Sequence, residues 1–370
     1  MSRLPVAVIG AGHLGRIHAR LLAAMPDVEL VAVVDPDAAA RTQVAADCRT
    51  EALADHRQIL HRAQAAVVAT PTRFHHQVAM DLLRGGVHLL VEKPLTSTLG
   101  EGQELVDAAA KYGLTLQVGH IERFNPALTA VREHLQQPKF VEAVRAGGFT
   151  FRSTDIGVVL DLMIHDLDVV LDLVDSPLRS VDAFGLALLG RNEDVARAHL
   201  EFENGTVADL SACRVSPHQR RQMQLWTERG YGSIDFAERK ATLVRPSEAL
   251  VKRELDPARL SSEARQELKE RIFQDHLRVE ELAVPDRNAL LDELEDFKRA
   301  IRTSTAPRVD GRQACRALAV AEQILAKIGT HRWSADADGP SGPLATPLPS
   351  TLRGPHWRYA SDEVPRREAG

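Results

Sequence analysis

A few side chains stand out as reactive by type and spacing. Asp161 and His165 lie four residues apart in Asp161-Leu162-Met163-Ile164-His165-Asp166-Leu167-Asp168. On a helix that separation stacks them on one face, with Asp168 a further turn along. A histidine titrating near neutrality and held by a carboxylate suits removal of a proton from a hydroxyl group. Met163 and Ile164 would limit water around it. The plainer alternative is a core histidine bonded to Asp161 within a helical ion network. Lys93 follows an apolar run in Val91-Glu92-Lys93-Pro94. At the carboxyl end of a parallel strand it would stand where such sheets bind ligands. A lone lysine there is more commonly a solvated charge. Taken together, His165 would accept a hydroxyl proton while the charge of Lys93 stabilises the developing alkoxide. Asp161 would orient one of the two, and which of Lys93 and His165 is the formal base stays open, because a coupled pair titrates as a unit.

A second pattern supplies a cofactor. Gly10-Ala11-Gly12-His13-Leu14-Gly15 follows one apolar run and opens a helical pattern. Gly10 permits a tight turn, Gly12 a close approach of backbone to a pyrophosphate, and Gly15 close helix–strand packing. The helix N-terminus then offers free N–H groups and a positive dipole end. Asp35 ends the next apolar run, twenty residues after Gly15. An acid there accepts hydrogen bonds from ribose hydroxyls and repels a 2′-phosphate, which favours NAD over NADP. The alternative is a glycine turn beside a helix-capping aspartate.

These residues need elements to hold them. Val6–Ile9, Leu30–Val34, Ala65–Thr70, Val87–Val91 and Leu116–Gly119 read as strands. Helical patterns alternate with them (Leu14–Ala24, Ala38–Asp47, His75–Arg84, Leu99–Tyr112), which predicts βαβ units and a parallel sheet. Beyond Gly119, Pro126–Leu135 and Val158–Val174 read as helices. Seven short alternating segments fall between residues 141 and 245, and Asn204-Gly205 marks a hairpin. They predict a mostly antiparallel open sheet with helices on one face. Residues 255–280 read as a charged, solvated excursion, and Asn288–Arg302 and Gly311–Ile328 as closing helices. The fold class is α/β, with an N-terminal Rossmann domain at 1–122 and a C-terminal α/β domain at 123–330. Residues 331–370, rich in Pro, Ser, Arg and Glu, read as a disordered tail. Docking of that tail on the cleft through Trp357 and Tyr359 is the other reading.

Composition bounds the function. The 370 residues carry 46 Lys and Arg against 51 Asp and Glu, a net charge of −5. That balance argues against a broad nucleic-acid surface. No run approaches the ~20 apolar residues of a membrane span, and the N-terminus does not read as a signal peptide. The three cysteines (Cys48, Cys213, Cys315) are scattered, which fits a cytoplasmic setting and no disulfide framework. The histidines lack zinc-ligand spacing, so no metal is expected.

The motifs together resemble the Gfo/Idh/MocA family of NAD(P)-dependent oxidoreductases over residues 4–329. The glycine loop, Thr70-Pro71-Thr72 with His75, Glu92-Lys93-Pro94 and Asp161-x-x-x-His165 carry the resemblance. It implies that Lys93, Asp161 and His165 are the catalytic set. It also implies a cofactor site of Gly10, Gly12, His13, Leu14, Gly15, Asp35, Thr70, Pro71, His75, Glu92 and Lys93. Many members have glycine two residues after the aspartate, where this chain has Met163. Gly119-His120-Ile121-Glu122-Arg123-Phe124-Asn125-Pro126 and the stretch from Arg152 to Asp166 resemble the branch acting on UDP-N-acetylglucosamine. That branch makes the 3-keto sugar, which an aminotransferase can convert to a 3-amino sugar for lipid A or surface glycans. Met163 is expected there. Arg123, Asn125, Arg152, Arg214, Arg220 and Arg221 are candidates for a UDP-sugar, with Asp161 and His165 at the reacting hydroxyl; arginine suits bidentate phosphate contacts. Each arginine alone is more readily a surface charge. Other readings are the same enzyme class on another sugar or an inositol, and a non-catalytic NAD sensor. The uncovered sheet face leads to an expected homo-oligomer, a dimer or tetramer.

Overall fold

The computed structural model describes residues 2–150, 155–334 and 339–343. Its first sheet uses the β-branched runs: β1 (Leu4–Ile9), β2 (Val28–Val34), β3 (Glu51–Leu53), β4 (Ala65–Val68), β5 (His88–Glu92) and β6 (Leu116–Gly119). All pair parallel, in the order β3-β2-β1-β4-β5-β6. The strands are apolar throughout because helices cover both faces. The covering helices include α1 (His13–Ala24), α2 (Ala38–Cys48), α3 (His75–Arg84) and α4 (Leu99–Tyr112). Thr98 and Glu101 form a capping box at the start of α4, and Gly113 ends it at φ 67°.

The second sheet comprises β7 (Phe140–Ala146), β8 (Leu178–Leu186), β9 (Val195–Phe202), β10 (Val207–Cys213), β11 (Arg220–Thr227), β12 (Gly230–Asp235), β13 (Lys240–Pro246) and β14 (Leu277–Glu281). Its order is β14-β13-β12-β11-β7-β10-β9-β8, antiparallel except for the β7–β10 pair. Asn204-Gly205 turns β9 into β10, with Gly205 at φ 82°. Side chains alternate, so Ala208, Leu210 and Ala212 are buried. They face a core shared with α5 (Pro126–Arg132) and α6 (Ile164–Leu173). The opposite face carries Glu142, Asp182, Arg197, His199, Asp209 and Ser211. The open face is therefore mainly polar, not apolar.

Residues 248–281 hold more structure than a solvated excursion. They form α7 (Glu248–Val251), the exposed α8 (Ser262–Arg271) and β14, which pairs with β13. The last two helices are α9 (Ala289–Thr303) and α10 (Gly311–Thr330). They return to the first sheet: Leu294 and Phe297 pack with Val8 and Val33, and Ala314 and Cys315 with Val118. The far half of α10, through Leu318 and Ile324, joins the second core. A cut at residue 122 thus does not separate the packing units, because the C-terminal helices complete both.

Part of the stretch read as a disordered tail is bonded to the second domain. Trp333 N donates to Pro340 O, Gly342 N to His331 O, and Ala187 N to Pro343 O, fastening 339–343 beside β8. Trp333 and His331 pack on Phe184. Residues 344–370, with Trp357 and Tyr359, lie outside the described residues. So does Arg152. Among the described residues, no helix is long and apolar enough to cross a membrane.

Candidate active site

The glycine loop joins β1 to α1. Gly10 sits at φ 107°, and a Cβ there would lie 2.5 Å from Ala69 O. A Cβ on Gly15 would lie 1.8 Å from Gly10 O, whereas a Cβ on Gly12 meets nothing within 4 Å. Gly12 caps α1 without any side-chain hydrogen bond, leaving first-turn N–H groups for a ligand. His13 and Leu14 are exposed at the start of the same turn. The Asp35 carboxylate accepts from Ala11 N at 2.7 Å and Asp37 N at 2.8 Å. Those two bonds fix it beside the loop and leave lone pairs for a hydroxyl group.

At the end of β5, Glu92 is buried and its Oε1 meets His18 Nε2 at 2.7 Å. Burial pushes this carboxyl up, but His18 and Lys93 outweigh it and hold it below the ordinary value. Lys93 Nζ donates to the Asp161 carbonyl at 2.6 Å and to Asp161 Oδ1 at 3.2 Å. Asp161 belongs to a π-helical turn, Val159–Met163, which runs into α6. A cleft of about 340 Å³ opens here, lined by Leu14, Thr70, Pro71, Glu92, Lys93 and Asp155.

His165 stands one turn beyond Asp161. Burial, then the charges of Lys93 and Arg145, lower its pKa well below the ordinary imidazole value. The ring is therefore neutral at pH 7 and can take a proton. Its Nδ1 has no hydrogen-bond partner among the described residues. The His120 ring approaches edge-on, 6.4 Å between centroids. Thus the Asp161 side chain engages Lys93, and His165 is tuned by burial and by cations rather than by a carboxylate.

This chain is 34% identical over 329 residues to UDP-N-acetylglucosamine 3-dehydrogenase of Acidithiobacillus ferrooxidans, covering 89% of this chain and 98% of that one. Residues 4–120 match the model of the Gfo/Idh/MocA oxidoreductase family with an NAD-binding Rossmann fold, and 127–232 its C-terminal domain. The chain belongs to the Gfo/Idh/MocA family. The solved structure of the Acidithiobacillus ferrooxidans enzyme has a TM-score of 0.77 to it, covering 88% of this chain and 98% of that chain. The scyllo-inositol 2-dehydrogenase (NAD(+)) of Bacillus subtilis is 30% identical over 249 residues, 62% of this chain and 72% of its own. Levoglucosan dehydrogenase, solved with NADH, shares the fold at TM-score 0.73 and 16% identity.

As in that family, the first domain binds NAD, and the loop fits it: the open side of Gly12 is the space a pyrophosphate needs. His75 has a different place from the one expected. It is buried, with Nδ1 3.0 Å from Pro94 O and Nε2 2.8 Å from Thr70 O, so it braces two cleft loops rather than facing the cofactor. Burial lowers its pKa despite both carbonyls.

Three of the substrate-site candidates are engaged internally. Arg123 is buried between Asp168 at 3.4 Å and Asp172 at 2.7 Å. Asn125 caps α5 through Ala127 N and donates to Glu122 Oε2 at 3.1 Å. Arg214 holds Asp194 at 2.6 Å and Ile156 O at 2.8 Å. All three are buried and hold protein acceptors. Arg220 and Arg221 on β11 are exposed, and the charge of Arg221 reaches His165.

Sequence reasoning passed over Arg145. It pairs bidentately with Asp166 at 2.8 and 3.1 Å and with Glu122 at 2.9 Å, next to His165. Burial opposes its charge, but the two carboxylates outweigh that and raise its pKa. Its signal was parity: Arg145 shares the inward face of β7 with Val141 and Ala143.

Proposed function

We propose that the protein oxidises the 3-hydroxyl of UDP-N-acetylglucosamine with NAD, giving the 3-keto nucleotide sugar. The pairing of Lys93 with Asp161 across the two domains carries the reading of a dehydrogenase site. The near full-length similarity to the Acidithiobacillus ferrooxidans enzyme supports the substrate. The Gly10–Gly15 loop and Asp35 would hold the cofactor, with Thr70 and Pro71 on the cleft wall. NAD, when bound, accepts the hydride from the carbinol carbon. His165, kept neutral by its surroundings, takes the hydroxyl proton. Lys93, steered by the Asp161 carbonyl and carboxylate, hydrogen-bonds the same oxygen and stabilises its developing negative charge. Arg221, exposed and close enough for its charge to reach His165, is a candidate for an anionic substrate group. An inositol substrate is the second reading, favoured by the similarity to scyllo-inositol 2-dehydrogenase and inositol 2-dehydrogenases. A cytoplasmic setting agrees with the free thiols of Cys48, Cys213 and Cys315. An aminotransferase would consume the keto product.

NADH formation with UDP-N-acetylglucosamine, myo-inositol and glucose, with the product identified by mass spectrometry, tests this. Only the nucleotide sugar is expected to turn over well. Lys93→Ala and His165→Ala should each lose roughly 10²–10⁴-fold in kcat while still binding NAD. Wild-type turnover in both variants would remove the constellation, and preference for an inositol would remove the substrate.

A further inference from the structure

The segment that delivers Asp161 to Lys93 is fastened from behind. Val158 N donates to the Glu193 carbonyl at 3.0 Å, and Val159 N to Glu193 Oε1 at 3.1 Å. Gly157 leaves the space that this carboxylate fills: a Cβ there would lie 2.0 Å from Oε1. Asp194, next in the chain, accepts from Arg214 Nε at 2.6 Å. Its other oxygen accepts the backbone N–H of Leu188 and of Leu189, each at 2.6 Å. Arg214 reaches Ile156 O at 2.8 Å. Residues 156–159 are thereby held by three hydrogen bonds from the turn between β8 and β9 and from the end of β10. Asp161 N then donates to Gly157 O at 3.0 Å, and the Asp161 carbonyl is the acceptor for Lys93 Nζ. Glu193 and Asp194 are both buried, so their bonds are not shared with bulk water.

We propose that Glu193, backed by Asp194 and Arg214, is a positioning residue that sets the Asp161 carbonyl on Lys93. It touches neither the cleft nor Lys93; it acts through the π-helical turn. A reacting group displaced by about 1 Å can lose on the order of 10²-fold in rate, so a contact two residues from Asp161 has leverage on turnover. The proposal rests on the reading of Lys93 as catalytic and is independent of which sugar is oxidised.

The test compares the full-length wild type with Glu193→Ala, Glu193→Gln and Gly157→Ala. The acylation rate of Lys93 by acetic anhydride is read by mass spectrometry of its peptide, alongside kcat, KM, NAD affinity and melting temperature. In Glu193→Ala the loosened carbonyl is expected to free the ammonium group, so Lys93 acylates several-fold faster. Its kcat should fall by roughly 10–100-fold, with NAD affinity and KM close to wild type. Glu193→Gln keeps an oxygen for Val159 N–H and should restore both readouts. Gly157→Ala pushes the carboxylate aside without removing it and should resemble Glu193→Ala, which keeps the question open to measurement if that variant does not fold. A lower melting temperature with wild-type Lys93 acylation and wild-type kcat would overturn the proposal and leave Glu193 a packing residue. If no sugar is turned over by the wild type, the substrate reading fails, and the acylation rates still decide the role of Glu193.

Discussion

Glu293 places a carboxyl group in the interior with no hydrogen-bond partner for either oxygen among the described residues. Burial, then the negative charges of Glu92, Asp296 and Asp168, raise its pKa well above the ordinary value. In the folded protein it keeps its proton at pH values where the unfolded chain has lost it. Stability therefore falls as pH rises above about 4.5, by up to about 1.4 kcal/mol per pH unit, until the folded pKa is reached. Gln at this position is neutral in both states. Urea unfolding at pH 5, 6 and 7 should show Glu293→Gln gaining on the wild type with each step; a difference that does not change with pH would mean the carboxyl is ionised in the fold. At this scale, Lys93, Asp161 and His165 could be singled out as candidates because their spacing and strand-end position are local facts. The internal engagement of Arg123 and Arg214 was not legible because their partners are not local. Arg123 meets Asp168 and Asp172, 45 and 49 residues away, and Arg214 meets Asp194 in the turn between β8 and β9, 20 residues away. A buried ion pair and a phosphate-binding arginine have the same one-letter signature until the fold supplies the acid.

The elements were easier to read where a periodic pattern was long. The five longer strands of the first sheet and most of its helices follow from alternating apolar runs. β3 has only three residues, too few to show a period, and β14 lies in a charged stretch where cross-strand pairing with β13 outweighs composition. The π-helical turn at Val159–Met163 had no sequence mark, since Val158–Val174 is apolar enough for an uninterrupted helix. Spacing alone left open whether Asp161 orients Lys93 or His165; in the structure its side chain meets Lys93. The glycine loop supports a differential prediction. Gly15→Ala forces a methyl group against the Gly10 carbonyl and should lower the melting temperature by several degrees, in line with about 1–3 kcal/mol of overpacking. Gly12→Ala meets open space and should melt like the wild type while binding NAD at least ten-fold more weakly by titration calorimetry. Equal affinity in Gly12→Ala would mean the pyrophosphate does not pass over this residue.

At the scale of the molecule, the second sheet has helices on one face only. The bare face carries both charges in close array, Glu142, Asp182 and Asp209 among Arg197 and His199, with Phe184, Leu188 and Leu189 exposed toward one edge. Opposite charges interleaved on a flat sheet are self-complementary under a two-fold axis. The expected solution mass by light scattering at micromolar concentration is that of two or four chains, and Arg197→Glu should shift it toward one. A wild-type mass of one chain would mean that solvent covers this face. The path of the chain through both domains also has a consequence in time. The first sheet takes Leu294 and Phe297 on one side and Ala314 and Cys315 on the other, from helices made last. At about 5–20 residues per second, the ribosome needs roughly 10–40 s to travel from the end of β6 to those positions. Through that interval the nascent sheet presents unfilled apolar surface, which is covered only after the C-terminal helices leave the exit tunnel.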